Sequence, residues 1–251
     1  MARIAAGSQI YDMGMVVFDK DGTLIDFYHL WGRKARHAVE GVVDHVGGDE
    51  TLANRLYRSI GFDPATGLAM PNSPLAVTSM PKIYMICATV LYQHGLDWHA
   101  AEAAAMQCFA VRLGAIPVAD LVKPVGDVAG LFRRLSEAGV KVAVVTSDNR
   151  RASLETLRLL EVERYVAGLV CGDDPIANKP APDALLHLSR ELAVPVERVM
   201  MVGDSLADLT FGANAGVGCR VALLCGTGGE DELRPLADVV LPSIDHIRVV
   251  K

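Results

Sequence analysis

The sequence predicts an α/β protein: a Rossmann-like core with a doubly wound parallel sheet, and an all-helical cap domain inserted into that core. In the second half of the chain, short apolar runs alternate with segments of helical periodicity, which is typical of parallel strands covered by helices on both faces. In the first half, the apolar run at residues 15–18 is followed by the next strand candidate only at residue 140. Because a βαβ unit needs only about 30 residues, most of the intervening segment is an insert.

The predicted strands are short runs of β-branched and other apolar residues, as expected for strands buried on both faces of a sheet. The first run has the sequence MVVF, and the second has the sequence VKVAVVT. No run in the insert shows the clear alternation that indicates a half-buried strand. The complete set comprises residues 15–18, 140–146, 166–171, 198–202, 217–224 and 237–241.

The predicted helices carry apolar residues at helical spacing, as Leu154, Leu157 and Leu160 do in the first helix of the second half. The core helices are expected at residues 150–160, 182–192 and 206–215, and the insert helices at residues 29–46, 50–60, 80–95 and 98–114. We therefore expect a core made of residues 1–25 and 121–251, and a helical cap made of residues 26–120.

Composition excludes several classes of protein. The chain has 251 residues, of which 51% are hydrophobic and 22% are charged, so an intrinsically disordered protein is not expected. The formal net charge of −6, from 24 basic and 30 acidic residues, argues against a nucleic-acid partner. No apolar run is long enough to span a membrane, and no apolar stretch typical of a secretory signal precedes Asp12. Five cysteines without a CxxC pair indicate reduced thiols, so we expect a cytoplasmic protein. A monomer and a homodimer are both compatible with the sequence.

Polar side chains follow several of the predicted core strands where each strand ends. Asp19 and Asp21 follow the first strand, and Gly22 allows a tight turn there. Thr146 and Ser147 follow the second strand. Because the carboxyl ends of parallel strands meet at one edge of a sheet, these groups are expected to line one crevice, where open α/β sheets bind ligands.

Further polar residues point to the same crevice: Lys179 precedes a helix, and Asp204 and Asp208 follow a later strand. Clustered carboxylates repel one another and are costly to desolvate, and a divalent cation resolves both problems. An all-oxygen donor set favours a hard ion such as Mg²⁺, which often also binds a substrate phosphate. The pattern therefore indicates phosphoryl transfer.

The order of these motifs resembles the haloacid dehalogenase superfamily of phosphohydrolases. The family pattern is DxDGT, a Ser or Thr after the second strand, a Lys, and GDxxxD, and this chain carries DKDGT, Thr146, Lys179 and GDSLAD in that order. The core part of the resemblance covers about residues 12–25 and 121–245, and the insert resembles the family's helical cap. Phosphoglycolate-phosphatase-like members are the relatives that the pattern favours.

The resemblance implies a role for each core residue. Asp19 would be the nucleophile that forms an aspartyl-phosphate, and Asp21 would be the general acid and then the general base. Thr146, Ser147 and Lys179 would hold the transferring phosphoryl group.

A Mg²⁺ ion would be held by Asp19, by the main-chain carbonyl of Asp21 and by Asp204, with Asp208 as an auxiliary ligand or as a support behind the others. The implied function is a Mg²⁺-dependent phosphomonoesterase that hydrolyses a small phosphorylated metabolite.

Other interpretations stay open at the level of sequence. A phosphosugar mutase with the same core would carry the same motifs, and a non-catalytic binding protein would be expected to lose some of them. Thr146 also fits the ordinary end of a strand. Lys179 also fits a solvated surface lysine, and Asp208 also fits the first turn of a helix. The run Gly226–Gly229 is interpreted as a loop rather than as a phosphate cradle.

Two positions depart from the family pattern. Lys20 occupies the middle of DxD, as in cation-pumping ATPases, but Asp21 replaces the Thr of those proteins. Phe27 stands where many phosphatases with this cap carry Ser or Thr. We expect substrate selection to involve the insert and the residue that leads into it, with Phe27, His29 and Ser73 as candidate specificity residues.

Overall fold

The computed structural model describes residues 2–70 and 73–250. The chain divides into two compact units. The core unit comprises Met1–Phe27 and Val122–Lys251, and the insert unit comprises Tyr28–Leu121.

The strands are numbered along the chain. They are β1 (Ala2–Ala6), β2 (Gln9–Met13), β3 (Met15–Phe18), β4 (Phe62–Asp63), β5 (Leu68–Ala69), β6 (Lys141–Val145), β7 (Val166–Val170), β8 (Val199–Gly203), β9 (Cys219–Leu223), β10 (Val239–Leu241) and β11 (Ile247–Val250).

The helices are numbered in the same way. They are α1 (Phe27–Val46), α2 (Glu50–Ile60), α3 (Pro74–Val77), α4 (Met80–Gln93), α5 (Trp98–Gly114), α6 (Val118–Leu121), α7 (Val128–Glu137), α8 (Arg150–Leu159), α9 (Asp183–Glu191), α10 (Leu206–Ala215) and α11 (Glu230–Leu233).

The core unit is built on a six-stranded sheet with the order β10-β9-β8-β3-β6-β7, in which every pair is parallel. The central strand β3 is buried along its whole length. Phe18, its last residue, pairs with Val144 of β6 and with Val202 of β8. The carboxyl ends of these three strands therefore lie side by side, and the predicted α/β fold class is confirmed.

Apolar side chains on one face of this sheet pack against the helices that cover it. Val17, Ala143 and Met201 from the three central strands share one buried cluster with Leu185 of α9 and Phe211 of α10. Burying a large apolar side chain stabilises the fold by roughly 1.5–3 kcal/mol. The helices α9 and α10 are thereby fixed against the sheet, and α10 begins close to the end of β8.

Side-chain caps start the helices after β6 and β8, where the sequence places small polar residues. Asn149 accepts a hydrogen bond from the Ala152 amide at 2.9 Å and begins α8. Ser205 begins α10 in a capping box with Asp208. Such caps satisfy amides that have no partner inside the helix.

Three strands of the core unit are not among those predicted. β1 pairs antiparallel with both β2 and β11, so the two ends of the described chain join in one small sheet, β11-β1-β2. Ile4 is buried, whereas Ile10 is 54% exposed, so β1 and β2 are not buried on both faces as the predicted strand β3 is. The pairing of β1 with β11 joins opposite ends of the chain, which local periodicity does not encode.

The insert unit is mainly helical, as expected, with α4 packed along α5 and α2 packed against α4. It also contains one short antiparallel pair, β4 with β5, so the cap is not purely helical. The turn between these strands is closed by Asp63, which accepts hydrogen bonds from the Ala65 amide at 2.8 Å and from the Thr66 hydroxyl at 2.9 Å. Strands of two residues are too short to show alternation. None of the helices described is long and apolar enough to cross a membrane.

Candidate active site

Three sequence-predicted residues directly follow adjacent strands of the parallel sheet. Asp19 follows β3, Thr146 follows β6 and Asp204 follows β8, and all three are buried. The Asp19 amide donates to the Val202 carbonyl at 2.9 Å, which extends the pairing of β3 with β8 by one residue. The structure therefore brings these side chains to one edge of the sheet, as the motif order predicts.

Lys179 joins two of the predicted carboxylates. Its ammonium group donates to Asp19 Oδ1 at 2.5 Å and to Asp208 Oδ1 at 2.6 Å. The Lys179 side chain is only 5% exposed, so it is not a solvated lysine. The loop that carries it is tied to α10, because Asn214 Nδ2 donates to the Pro180 carbonyl at 2.9 Å.

Asp208 is held from its other side by the start of α10. Its Oδ2 accepts hydrogen bonds from the Ser205 hydroxyl at 2.6 Å and from the Ser205 amide at 3.1 Å. Asp208 therefore lies in the first turn of a helix and, at the same time, next to Lys179. The cap orients the carboxylate, and its Oδ1 reaches Lys179.

Asp204 is clamped by hydrogen-bond donors from two loops. Thr23 Oγ1 donates to its Oδ1 at 3.0 Å, and the Thr227 amide and hydroxyl donate to its Oδ2 at 2.8 and 3.2 Å. Thr23 belongs to the DKDGT motif, whereas Thr227 lies in the loop after β9. That loop therefore orients a carboxylate of the candidate site.

Two glycines make this clamp possible. A Cβ atom on Gly22 would lie 2.4 Å from Asp204 Oδ2, and one on Gly226 would lie 2.0 Å from the same atom. Gly22 also has a φ of +94°, which side chains rarely adopt. The tight turn expected at Gly22 is therefore observed, and it brings the backbone close to Asp204.

Burial and mutual repulsion set the electrostatics of the site. Burial raises the pKa of Asp204 to about 7, with the negative charge of Asp208 as the next cause. Burial also raises the pKa of Asp19 well above its usual value, although the positive charge of Lys179 opposes this shift. Burial alone would lower the pKa of Lys179, but Asp19 and Asp208 outweigh it, so its pKa is raised and it stays charged.

The donor set fits a hard divalent cation. Asp19, Asp204 and Asp208 each offer a carboxylate oxygen, and the three oxygens lie within 4.8 Å of one another in buried surroundings. When ionised, the three carry three negative charges, and Lys179 supplies one positive charge. A cation would offset the excess negative charge, and oxygen ligands are those that Mg²⁺ prefers. The side chain of Asp21 is not part of this group of three.

Thr146 and Ser147 differ in their surroundings. Thr146 is 3% exposed, and its Oγ1 accepts a hydrogen bond from the Asp148 amide at 3.1 Å. Ser147 is exposed. The Thr146 oxygen is thus oriented by the turn after β6, whereas the structure gives no such support for Ser147.

Lys20 and Asp148 are the residues whose importance the motifs do not reveal. Lys20 Nζ donates to Asp21 Oδ1 and, at 3.1 Å, to Asp148 Oδ2. The Lys20 side chain is 1% exposed. Its position between two aspartates of the motif is a usable signal, because a lysine next to the end of a buried strand needs an acidic partner.

Of the three candidate specificity residues, Phe27 ends the first segment of the core unit, whereas His29 and Ser73 belong to the insert unit. Phe27 is buried at the first position of α1. His29 Nε2 lies 3.0 Å from the Asp120 carbonyl oxygen, a contact within the insert unit. Ser73 is buried, and its hydroxyl has no hydrogen-bond partner among the residues that the structure describes.

The fold and the site together define an α/β protein with a lysine and a group of carboxylates at the carboxyl edge of a parallel sheet. The family model described as haloacid dehalogenase-like hydrolase matches residues 13–216, which is most of the chain. The protein therefore belongs to the haloacid dehalogenase-like hydrolases.

Curated relatives carry two different names. The chain is 34% identical to a pyrophosphatase PpaX of Halalkalibacterium halodurans over 128 residues, which is 51% of this chain and 59% of that protein. It is 26% identical to a phosphoglycolate phosphatase of Pseudomonas savastanoi pv. phaseolicola over 224 residues, which is 89% of this chain and 73% of that protein. The matches to two relatives with the pyrophosphatase name span only 41% and 59% of their lengths.

Solved structures share the fold. A haloacid dehalogenase-like family hydrolase of Streptococcus pneumoniae aligns with a TM-score of 0.62 at 15% identity, covering 91% of this chain and 93% of that one. A hydrolase of Pseudomonas syringae aligns with a TM-score of 0.61 at 19% identity, covering 92% and 94%. Likeness at this level of identity concerns the fold alone.

Proposed function

We propose that this protein is a Mg²⁺-dependent phosphomonoesterase that hydrolyses a small phosphorylated metabolite through an aspartyl-phosphate. The observation that carries the proposal is the contact of Lys179 with both Asp19 and Asp208, with Asp204 beside them. Membership of a hydrolase family and the phosphatase names of the relatives support it.

In the first step, a carboxylate oxygen of Asp19 attacks the phosphorus atom of the substrate. The bond between phosphorus and the leaving oxygen breaks, and Asp21 donates a proton to that oxygen. Lys179 offsets the charge of Asp19, so that one anion can approach another. The product alcohol leaves, and the phosphoryl group stays on Asp19.

In the second step, Asp21 accepts a proton from a water molecule, whose oxygen attacks the same phosphorus atom. The bond between phosphorus and Asp19 breaks, which releases inorganic phosphate and restores both carboxyl groups. Splitting one displacement into two avoids direct attack of water on the ester.

The phosphoryl oxygens would be held by Thr146 and Lys179, with Ser147 as a further candidate. The Thr146 oxygen already accepts a hydrogen bond from the Asp148 amide, so its proton can be directed elsewhere. Donors that are fixed before substrate arrives need no reorganisation when the charge develops.

A Mg²⁺ ion would be held by Asp19, Asp204 and the main-chain carbonyl of Asp21, with Asp208 as an auxiliary ligand or support. When bound, Mg²⁺ would offset negative charge on the phosphoryl group. Thr23 occupies one acceptor site on Asp204 Oδ1 and Thr227 two on Oδ2, which leaves a lone pair on Oδ1 for such an ion.

The substrate is expected to be a small anion. The relatives' names point to phosphoglycolate and to pyrophosphate as the first compounds to test. Phe27, His29 and Ser73 are proposed to influence which metabolite is accepted, through the insert unit and the residue that leads into it.

The test is phosphate release from a panel of phosphorylated metabolites, with and without Mg²⁺. The expected result is Mg²⁺-dependent release by the wild type and its loss in Asp19→Asn, together with a phosphorylated wild-type protein in acid-quenched samples that Asp19→Asn lacks. Asp231→Asn is the matched control, because Asp231 is exposed on α11.

Two outcomes would overturn the proposal. The first is near-normal turnover by Asp19→Asn. The second is conversion of a phosphosugar to its isomer without release of phosphate, which would identify a mutase.

A further inference from the structure

The buried lysine in the middle of the DKDGT motif bridges two carboxylates from adjacent strand ends. Lys20 follows β3 and Asp148 follows β6, and these strands are neighbours in the parallel sheet. Lys20 Nζ donates to Asp21 Oδ1 and to Asp148 Oδ2, although Asp148 is 128 positions away in the chain.

The lysine is held rigidly at both ends. Its main-chain carbonyl accepts hydrogen bonds from the Leu24 amide at 2.9 Å and the Ile25 amide at 3.1 Å, which close the turn after β3. Its side chain is 1% exposed, so little solvent competes for the ammonium group.

Asp148 is itself anchored. Its Oδ1 accepts hydrogen bonds from the Asn149 amide at 2.8 Å and from Asn149 Nδ2 at 3.0 Å. Its carbonyl accepts from the Gly172 amide at 2.8 Å. Asp148 therefore provides a fixed point on the β6 side from which Lys20 is oriented.

We propose that Lys20 and Asp148 form a positioning pair that fixes the carboxyl group of Asp21 for its two proton transfers. The inference rests on the proposed function, in which Asp21 protonates the leaving oxygen and then takes a proton from water. Such transfers need the carboxyl oxygen within hydrogen-bond reach of its partner, and a misplacement of about 1 Å can reduce rates about 10²-fold.

Stability alone is a weak reason for this pair. Replacing a buried ion pair with apolar side chains of similar volume is often neutral or stabilising, because desolvation offsets the attraction between the charges. Because stability does not by itself account for a lysine buried here, its contact with the proposed acid and base is better explained by what it orients.

Asp148 also connects this pair to the proposed phosphate site. Its amide donates to Thr146 Oγ1 at 3.1 Å, while its side chain accepts from Lys20. One residue thus orients the hydroxyl proposed to hold the phosphoryl group and the lysine that holds the proposed acid.

The experiment compares Lys20→Met and Asp148→Asn with the wild type on two substrates, an alkyl phosphate and an aryl phosphate. Single-turnover release of the leaving alcohol is measured at saturating Mg²⁺. An alkyl alkoxide is a poor leaving group that needs a proton from Asp21, whereas an aryl oxide needs it much less. Asp21→Asn supplies the reference pattern.

Lys20→Met is expected to slow the alkyl phosphate about 10²-fold and the aryl phosphate less than about 5-fold, with KM changed less than about 3-fold. Asp148→Asn keeps the contact of Lys20 with Asp21 and is expected to slow the alkyl phosphate about 10-fold. The double variant should be no slower than Lys20→Met, because coupled residues are not additive.

Arg220→Met is the matched control for the loss of an ion pair. Arg220 contacts Asp238 through two nitrogens, at 3.0 and 3.1 Å, within the same unit. The Arg220→Met variant should have a lower melting temperature and an unchanged ratio of alkyl to aryl rates.

Equal losses for both esters in Lys20→Met, or a change confined to KM, would overturn the inference while the proposed function stands. A wild type that releases phosphate from neither ester nor from the metabolite panel would overturn both. If Lys20→Met does not fold, the test rests on Asp148→Asn. An unchanged ratio of alkyl to aryl rates in that variant would contradict the proposed positioning pair.

Discussion

Lys179 Nζ lies 2.6 Å from Asp208 Oδ1, and this contact connects the first turn of α10 to the lysine that also touches Asp19. The carboxylate of Asp208 is shared: Oδ1 faces the lysine, and Oδ2 accepts from the Ser205 hydroxyl and amide. A helix cap thereby sets the position of a charge in the site.

The two contacts of Asp208 can be separated by mutation. Ser205→Ala should lower the free energy of unfolding by about 1 kcal/mol through loss of the cap, with turnover changed only a few-fold. Asp208→Asn should lower kcat about 10²-fold, because Lys179 loses one of its two anionic partners. Denaturant unfolding and steady-state kinetics on both variants provide the check, and a Ser205→Ala variant as inactive as Asp208→Asn would contradict this division.

The raised pKa of Asp204 predicts a pH-dependent stability in metal-free buffer. The folded-state pKa of about 7 lies above the usual 3.8, so the stabilising contribution is complete below the unfolded-state value. It is lost as the pH rises from about 4 through about 7, because the unfolded chain releases a proton that the buried carboxyl group retains until about pH 7. Between about pH 4 and pH 8, the free energy of unfolding of the wild type should fall by up to about 4 kcal/mol relative to that of Asp204→Asn.

The same comparison is repeated with saturating Mg²⁺. The pH-dependent difference should shrink, since the cation compensates the ionised carboxylate. Thermal unfolding curves in EDTA and in Mg²⁺ give the measurement. A difference that is independent of pH in EDTA would show that Asp204 does not titrate in this range.

Thr227 is expected to tune the affinity for Mg²⁺ without touching substrate. Thr227→Val removes the hydroxyl donor 3.2 Å from Asp204 Oδ2 and keeps the amide donor. Because groups that orient metal ligands typically contribute about 10–100-fold to affinity, the Kd for Mg²⁺ should rise about 10-fold. Calorimetric titration with Mg²⁺ measures it. Thr89→Val, at an exposed site on α4, should leave the Kd unchanged.

Gly22 and Gly139 form a matched pair for the close approach of the backbone to Asp204. Both have a positive φ, but a Cβ atom on Gly139 would meet no atom within 4 Å, whereas one on Gly22 would meet Asp204. Gly139→Ala should cost about 1–2 kcal/mol of stability and keep full turnover. Gly22→Ala should in addition weaken Mg²⁺ binding and abolish turnover. Normal turnover in Gly22→Ala would show that Asp204 can move without consequence.

Ser73 tests whether the insert unit influences substrate choice. Its buried hydroxyl has no partner among the described residues, so Ser73→Ala should not lower the melting temperature by loss of a hydrogen bond. We expect it to change relative kcat/KM among metabolites and to leave a small aryl phosphate nearly unaffected. A uniform loss for all substrates together with a lower melting temperature would indicate a packing role instead.

Much of the core can be predicted because its signals are local. The buried strands β3, β6 and β8 are runs of consecutive apolar residues, and the residue that follows each strand is a feature of the sequence itself. Asp19, Thr146 and Asp204 therefore stand out from the order of residues alone, and the parallel sheet explains why they meet.

The remaining features depend on partners far apart in the chain. The contact of Lys20 with Asp148, the clamp of Thr227 on Asp204 and the pairing of β1 with β11 join segments whose proximity follows from the strand order of the sheets. Apolar periodicity reports which face of an element is buried, but not which element covers it.

The sequence by itself determined the α/β class, the positions of the strands in the six-stranded sheet and the residue types at their carboxyl ends, because each of these depends on neighbouring residues. Only the tertiary structure decided which charges are paired. By sequence alone, Lys179 also fits a solvated lysine and Asp208 a simple helix start. The fold made Lys179 a buried bridge between Asp19 and Asp208. The energy of a charge depends on its burial and its partners, and both arise only when distant segments come together.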